Sequence, residues 1–109
     1  MDFNKMSHYK VVVTDDAKAD LDEFVSYILL VKKNEQAADS LLDDFLDAVG
    51  ELEGVAGSLM LDDEDLAALG YHRIHLKKHR YYLLYRIEDQ TAIVDNMFHD
   101  LQDYKNHMI

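Results

Sequence analysis

The chain has no cysteine, which excludes disulfides, thiolate nucleophiles and cysteine-based zinc sites and gives no sign of an oxidising compartment. It has no apolar run near the roughly 20 residues a membrane helix needs. It also lacks the basic, apolar, small-residue pattern of a secretory leader. These absences make a cytoplasmic protein with no membrane association the expectation. There are no internal repeats and no low-complexity tract, and the 49% apolar and 30% charged content is that of a globular protein. Residues 1–7 show no periodicity and read as a frayed leader; residues 8–109 have the length of a single domain with one two-layer core.

Positive charge is also scarce, with 11 Lys and Arg against 22 Asp and Glu and a net charge of -11. Taken over the whole chain, this argues against nucleic-acid binding, because phosphate affinity is largely neutralisation by Lys and Arg. The imbalance is confined to one half. Residues 1–69 hold five Lys and seventeen acids, whereas residues 70–109 hold six Lys or Arg and five acids. Within residues 71–87 lie Arg73, Lys77, Lys78, Arg80 and Arg86, three histidines and four tyrosines, with no Asp or Glu. A basic island in an acidic chain points to a place where an anionic partner can sit.

Periodicity supplies the elements. Residues 9–13 are short and β-branched and run into Thr14-Asp15-Asp16, a strand followed by a helix N-cap with acids at the positive end of the dipole. Ala17, Leu21, Phe24, Val25, Ile28 and Val31 recur at helical spacing to about Lys32. Asn34 caps a second helix with apolar Ala38, Leu41, Leu42, Phe45, Val49 and Leu52. Asp39, Asp43, Asp44, Asp47 and Glu51 fall on its other side and read as a solvated face, since a hard cation needs oxygen ligands converging from several elements. Gly54 and Gly57 close that region. Residues 62–69 suit a helical turn capped by Asp62 and ended by Gly70, and Asp62 to Asp65 lack the spacing and central glycine of a calcium loop.

After Gly70 the period changes to two, giving strands over residues 71–76, 80–87 and 91–98, then a short helix from Asp100 to about Lys105. The order β-α-α-β-β-β with that C-terminal helix is an α+β fold, a helical hairpin packed on an antiparallel β-sheet. A two-residue turn on Lys77-Lys78 pairs Leu76 with His79 and Arg73 with Tyr82. One face then collects Ile74, Leu76, Tyr81, Leu83, Tyr85 and Ile87. A second turn on Asp89-Gln90 adds Ala92, Val94 and Phe98 to that core face. The opposite face collects Tyr71, Arg73, His75, Arg80, Tyr82, Leu84 and Arg86, joined by Ile93, Asp95, Met97 and His99, with Arg80 opposite His99.

That second face has a coherent chemistry. Arg73, Arg80 and Arg86 suit phosphate through their bidentate fork, His75 and His99 suit proton transfer near neutrality, and Tyr71 and Tyr82 suit stacking on unstacked bases. Each residue has a plainer role open to it. Arg73 and Arg86 can pair with local carboxylates, Tyr71 and Tyr82 can pack under the C-terminal helix, and Lys77 and Lys78 sit at a solvated turn.

The order of elements and several short motifs resemble the RelE/ParE superfamily of bacterial type II toxins. The motifs are Tyr9-Lys-Val-x-x-Thr14 with Ala17 and Asp20-Leu21, Gly70-Tyr71-x-Arg73-Ile74, Tyr81-x-x-x-Tyr85-Arg86-Ile87, and Phe98-His99-x-x-x-Asp103-Tyr104. The resemblance implies a growth-inhibiting toxin bound by a cognate antitoxin in a hetero-oligomer, with no cofactor or metal. RelE-like and YoeB-like members cut mRNA on the ribosome by metal-free attack of a 2'-hydroxyl on phosphate, whereas ParE-like members inhibit DNA gyrase. Carried onto this chain, the first activity makes Arg80 and Arg73 the phosphate-holding arginines and His99 the general acid. Tyr82, Arg86, His75, Lys77 and Lys78 then line the substrate. The chain departs from the nuclease pattern in three respects. No motif fixes a general base between Glu51 and Glu53, the lysines near the second helix end are absent, and the protein is strongly acidic. Those departures suit a ParE-like target or a weakened, binding-only member.

Overall fold

The computed structural model describes residues 8–59 and 67–101. The leader over residues 1–7, the Asp62 cap and the C-terminal helix beyond Leu101 lie outside the described residues. A strand β1 (Lys10–Val13) leads into helices α1 (Asp15–Leu30) and α2 (Glu35–Val55), followed by a 3-10 turn (Ala56–Ser58) and strands β2 (Tyr71–His75), β3 (Tyr81–Glu88) and β4 (Thr91–His99). The last three form the expected antiparallel meander. β1 adds a parallel strand beside β4, so the sheet is mixed, in the order β1-β4-β3-β2.

Local chemistry sets the helix ends. The Thr14 hydroxyl accepts from the Ala17 N–H at 3.2 Å, and Asp15 and Asp16 occupy the positive end of α1. Lys33 takes a left-handed φ of 52° in the link. The Asn34 side chain then caps α2 through the Ala37 N–H at 3.0 Å. At the far end of α2, Tyr9 donates its N–H to the Glu53 carbonyl at 2.7 Å. Its hydroxyl lies 2.2 Å from the position a Cβ on Gly57 would take, so a side chain there would push the Tyr9 ring aside.

The main core joins Leu21 of α1 and Leu41, Phe45 and Leu52 of α2 to Ile74, Leu76, Leu83, Tyr85, Val94 and Met97 of the sheet. Each such large apolar side chain contributes about 1.5–3 kcal/mol on burial. The Tyr85 hydroxyl donates to the Ala56 carbonyl at 2.6 Å. Burial, with Tyr9 adding to it, pushes that phenol well above its ordinary range. Tyr82, Leu84 and Phe98 form a second, smaller buried cluster with Tyr71 packed against it.

Candidate functional site

The turn on Asp89-Gln90 is as the sequence predicts, with Glu88 facing Thr91, Ile87 facing Ala92 and Tyr85 facing Val94. Beyond that point the register slips, and Leu84 faces Asn96, Leu83 faces Met97 and Tyr81 faces His99. Asp95 is the extra residue of a β-bulge, and every β4 side chain after it changes face. Met97, expected on the basic face, is 1% exposed in the main core. Phe98, expected in that core, instead joins Tyr82 and Leu84.

Residues distant in sequence hold the bulge. Asp20 of α1 accepts from the Met97 N–H at 3.0 Å and from the Asn96 amide at 3.3 Å. Thr14 donates its N–H to the Val94 carbonyl at 3.0 Å and its hydroxyl to the Asp95 carbonyl at 3.2 Å. Backbone groups at and beside the bulge thus find partners in the N-cap and the second turn of α1. Two of the residues carrying the family resemblance, Thr14 and Asp20, are explained by this clip.

The bulge separates the expected catalytic residues. His99 lies on the helix-covered side, in a groove with Phe24, Tyr27 and Ile28 of α1, with Lys32 just beyond that helix and with Tyr81. Its ring meets Tyr81 edge-on at 5.0 Å between centroids, and its Nδ1 accepts from the Leu101 N–H at 3.1 Å. That bond places the proton of the neutral imidazole on Nε2. Burial raises the Tyr81 phenol above its ordinary value.

The opposite face holds Arg73, His75 and Tyr82. The Arg73 guanidinium sits 5.3 Å from the Tyr82 ring centre, His75 lies 5.6 Å from the same ring, and Phe98 also lies 5.6 Å from it. Tyr82 is 2% exposed, which corrects its expected role as a stacking platform, because a ring packed among these neighbours offers no face to a base. The His75 Nδ1 is 3.6 Å from Asp100. Arg86 is paired with Asp95 at 2.8 Å and with Glu88, and both acids hold its pKa above the ordinary value, Asp95 most strongly. Arg86 therefore takes the plainer of its two roles.

The turn between β2 and β3 differs from the expected one. Arg73 faces Leu84 and His75 faces Tyr82, and the Leu76 N–H donates to Tyr81 at 3.0 Å. The loop thus has four residues, 77–80, and Arg80 lies in it rather than in a strand. Because the shift is by two residues, the face assignments in β2 and β3 survive. Arg80 does not face His99; its carbonyl accepts from the Asp100 N–H at 2.9 Å. Lys77 pairs with Glu51 at 2.5 Å, and that hydrogen bond, together with the charges of Glu51, Asp47 and Asp44, raises its pKa. The His79 Nε2 meets the Ser40 hydroxyl at 3.0 Å.

Asp44, expected on a solvated face, is 1% exposed. It accepts from the backbone N–H groups of Lys77 at 3.1 Å, Lys78 at 2.9 Å and His79 at 2.9 Å. Its position three residues after Leu41 and four before Ala48, both buried, was the available signal: it borders the apolar stripe of α2. Asp20, between buried Ala17 and Leu21, carries the same signal on α1. Arg73, Arg80 and His99 thus lie on one face, at a loop and on the other face of the sheet, while Lys78 and Arg80 share an exposed tip.

This arrangement of a helical hairpin on a four-stranded sheet is shared with chains of two solved toxin–antitoxin complexes. The chromosomal ParDE toxin–antitoxin system of P. aeruginosa contains a similar chain, with a TM-score of 0.69 and 19% identity over 85% of this chain and 97% of that one. The RelBE2 toxin–antitoxin complex of Mycobacterium tuberculosis contains another, with a TM-score of 0.53 and 23% identity over 86% and 93%. No curated relative matches the sequence. The model of the ParE toxin of the type II toxin–antitoxin system parDE matches residues 11–104. The chain belongs to the ParE toxin family.

Proposed function

We propose that this chain is a ParE-type toxin, neutralised by a cognate antitoxin in a hetero-oligomer, that acts in the cytoplasm on DNA gyrase rather than by cutting mRNA. The observation that carries this reading is the β-bulge at Asp95, which puts His99 on the helix side of the sheet and leaves Arg73 on the other. A 2'-hydroxyl attack needs a proton donor and phosphate-holding arginines around one phosphate, within about 3 Å of the reacting atoms. Arg73, Arg80 and His99 do not share a face. Membership of the ParE family supports the same target.

On this reading the element that meets the target is the tip of the β2–β3 hairpin. Lys78 and Arg80 are exposed there, whereas Lys77 and Arg86 are engaged by acids of the chain itself. An exposed basic tip on an acidic protein selects an anionic surface and makes binding salt-dependent. The test is purified gyrase with the full chain, alongside mapping of transcript 5' ends after induced expression. Inhibited supercoiling with intact transcripts is the expected outcome, and Lys78→Ala with Arg80→Ala should weaken inhibition at least tenfold. Cleaved transcripts, with growth arrest relieved by His99→Ala, would instead establish the endoribonuclease and overturn this proposal.

A further inference from the structure

The β2–β3 tip contains little that dictates its shape. Residues 77–80 include no Gly, Asn or Asp, and none of them has positive φ. Two registers are open to this hairpin. A two-residue turn on Lys77-Lys78 pairs Arg73 with Tyr82, and the observed four-residue loop pairs Arg73 with Leu84. They differ by two residues, so every side chain keeps its face and hydrophobic patterning cannot choose between them. What distinguishes them is the backbone of the loop.

In the observed loop the N–H groups of Lys77, Lys78 and His79 all turn inward onto the Asp44 carboxylate. Three consecutive N–H groups around one anion form a concave nest, and here the anion belongs to the protein. Asp44 is the one buried charged side chain among the described residues. A buried carboxylate is retained only where several hydrogen bonds satisfy it. With these three donors committed to Asp44, an anionic partner at the tip is met by the Lys78 and Arg80 side chains. Asp100 holds the other side of the loop through the Arg80 carbonyl.

We propose that Asp44 is a positioning residue: its carboxylate selects the four-residue loop and thereby holds Lys78 and Arg80 where the toxin meets its target. The functional half of this statement rests on the tip being the target-contacting element, while the selection of the loop stands independently. Without Asp44 the three N–H groups lose their partner, and the loop opens to solvent or slips to the two-residue turn. Either change displaces Arg80.

The test is amide exchange and cross-strand Hα–Hα contacts in the full chain carrying Asp44→Ala, with growth arrest measured on induction. The amides of residues 77–79 should exchange at least tenfold faster, while those of Leu83 and Val94 in the core keep their rates. The Arg73–Leu84 contact should weaken or give way to Arg73–Tyr82, and growth arrest should fall at least tenfold. Asp44→Asn keeps one acceptor oxygen and should give intermediate exchange; it carries the same readouts should Asp44→Ala not fold. Unchanged protection at 77–79, or exchange rising equally at Leu83 and Val94, overturns the selection of the loop. A loosened loop with full growth arrest overturns the positioning role. If the parent chain does not inhibit gyrase, the target reading fails while the amide result still decides the role of Asp44.

Discussion

The two halves of the β3–β4 ladder make an instructive pair. The half next to the turn, Tyr85 to Glu88 with Thr91 to Val94, has the register that alternation and a two-residue turn imply. The half beyond Asp95 is offset by one residue, so Met97, Phe98 and His99 present opposite faces from those implied. Both halves are built from similar β-forming residues. The difference is that Thr14, the cap of α1, bonds the carbonyl of the bulge residue Asp95, and Asp20 of α1 accepts from the Met97 N–H just beyond it. A single inserted residue thus relocates the only histidine of β4, and with it the chemistry available to each face.

The largest test of this contrast is Met97→Ala. With Met97 in the main core, the substitution should cost about 2–5 kcal/mol, read as a lower urea midpoint; a side chain on a solvent face would cost less than about 0.5 kcal/mol. Asp20→Ala attacks the clip itself. It strips the Met97 N–H of its partner and should cost about 1–3 kcal/mol, with shifted resonances for Met97 and His99 and unchanged ones for Ala92. Equal stability with unmoved resonances would show that the bulge does not need Asp20.

The smallest effect belongs to the proximal half and serves as its control. Tyr85→Phe removes the donor to the Ala56 carbonyl and should cost about 1 kcal/mol at neutral pH. Its signature is in alkali. Burial raises the Tyr85 phenol above its ordinary value of 10.0, so as the pH passes that value the unfolded chain loses this proton first. The unfolded state then binds fewer protons, and stability falls with rising pH. The Phe variant should show a shallower alkaline decline, measured by unfolding midpoints above pH 10. An identical decline would remove Tyr85 as its source.

Much of the fold was legible one residue at a time. The Thr14 and Asn34 caps, the 3.6-residue stripes of α1 and α2, the change of period after Gly70 and the Asp89-Gln90 turn all depend on neighbours within four residues. The faces of β2 and β3 were also legible, and they survive a wrong loop because parity is preserved by a two-residue shift. The grouping of the site was not. It depended on Asp20 reaching Met97, 77 positions away, and on Asp44 reaching the loop at His79, 35 positions away. A carboxylate bordering an apolar stripe carries a local signal of burial, but nothing local names the backbone donors it will meet.

Composition, charge placement and short-range periodicity were therefore enough to define the elements, the layers and the basic island at residues 71–87. They could not say which basic side chains would be paired, buried or left at the surface. Folding made that choice by bringing two helix carboxylates against backbone donors that the sheet could not satisfy by itself. Hydrogen-bond satisfaction is a property of the packed whole, whereas period and propensity are properties of neighbouring residues, and the candidate site lies where the first overrules the second.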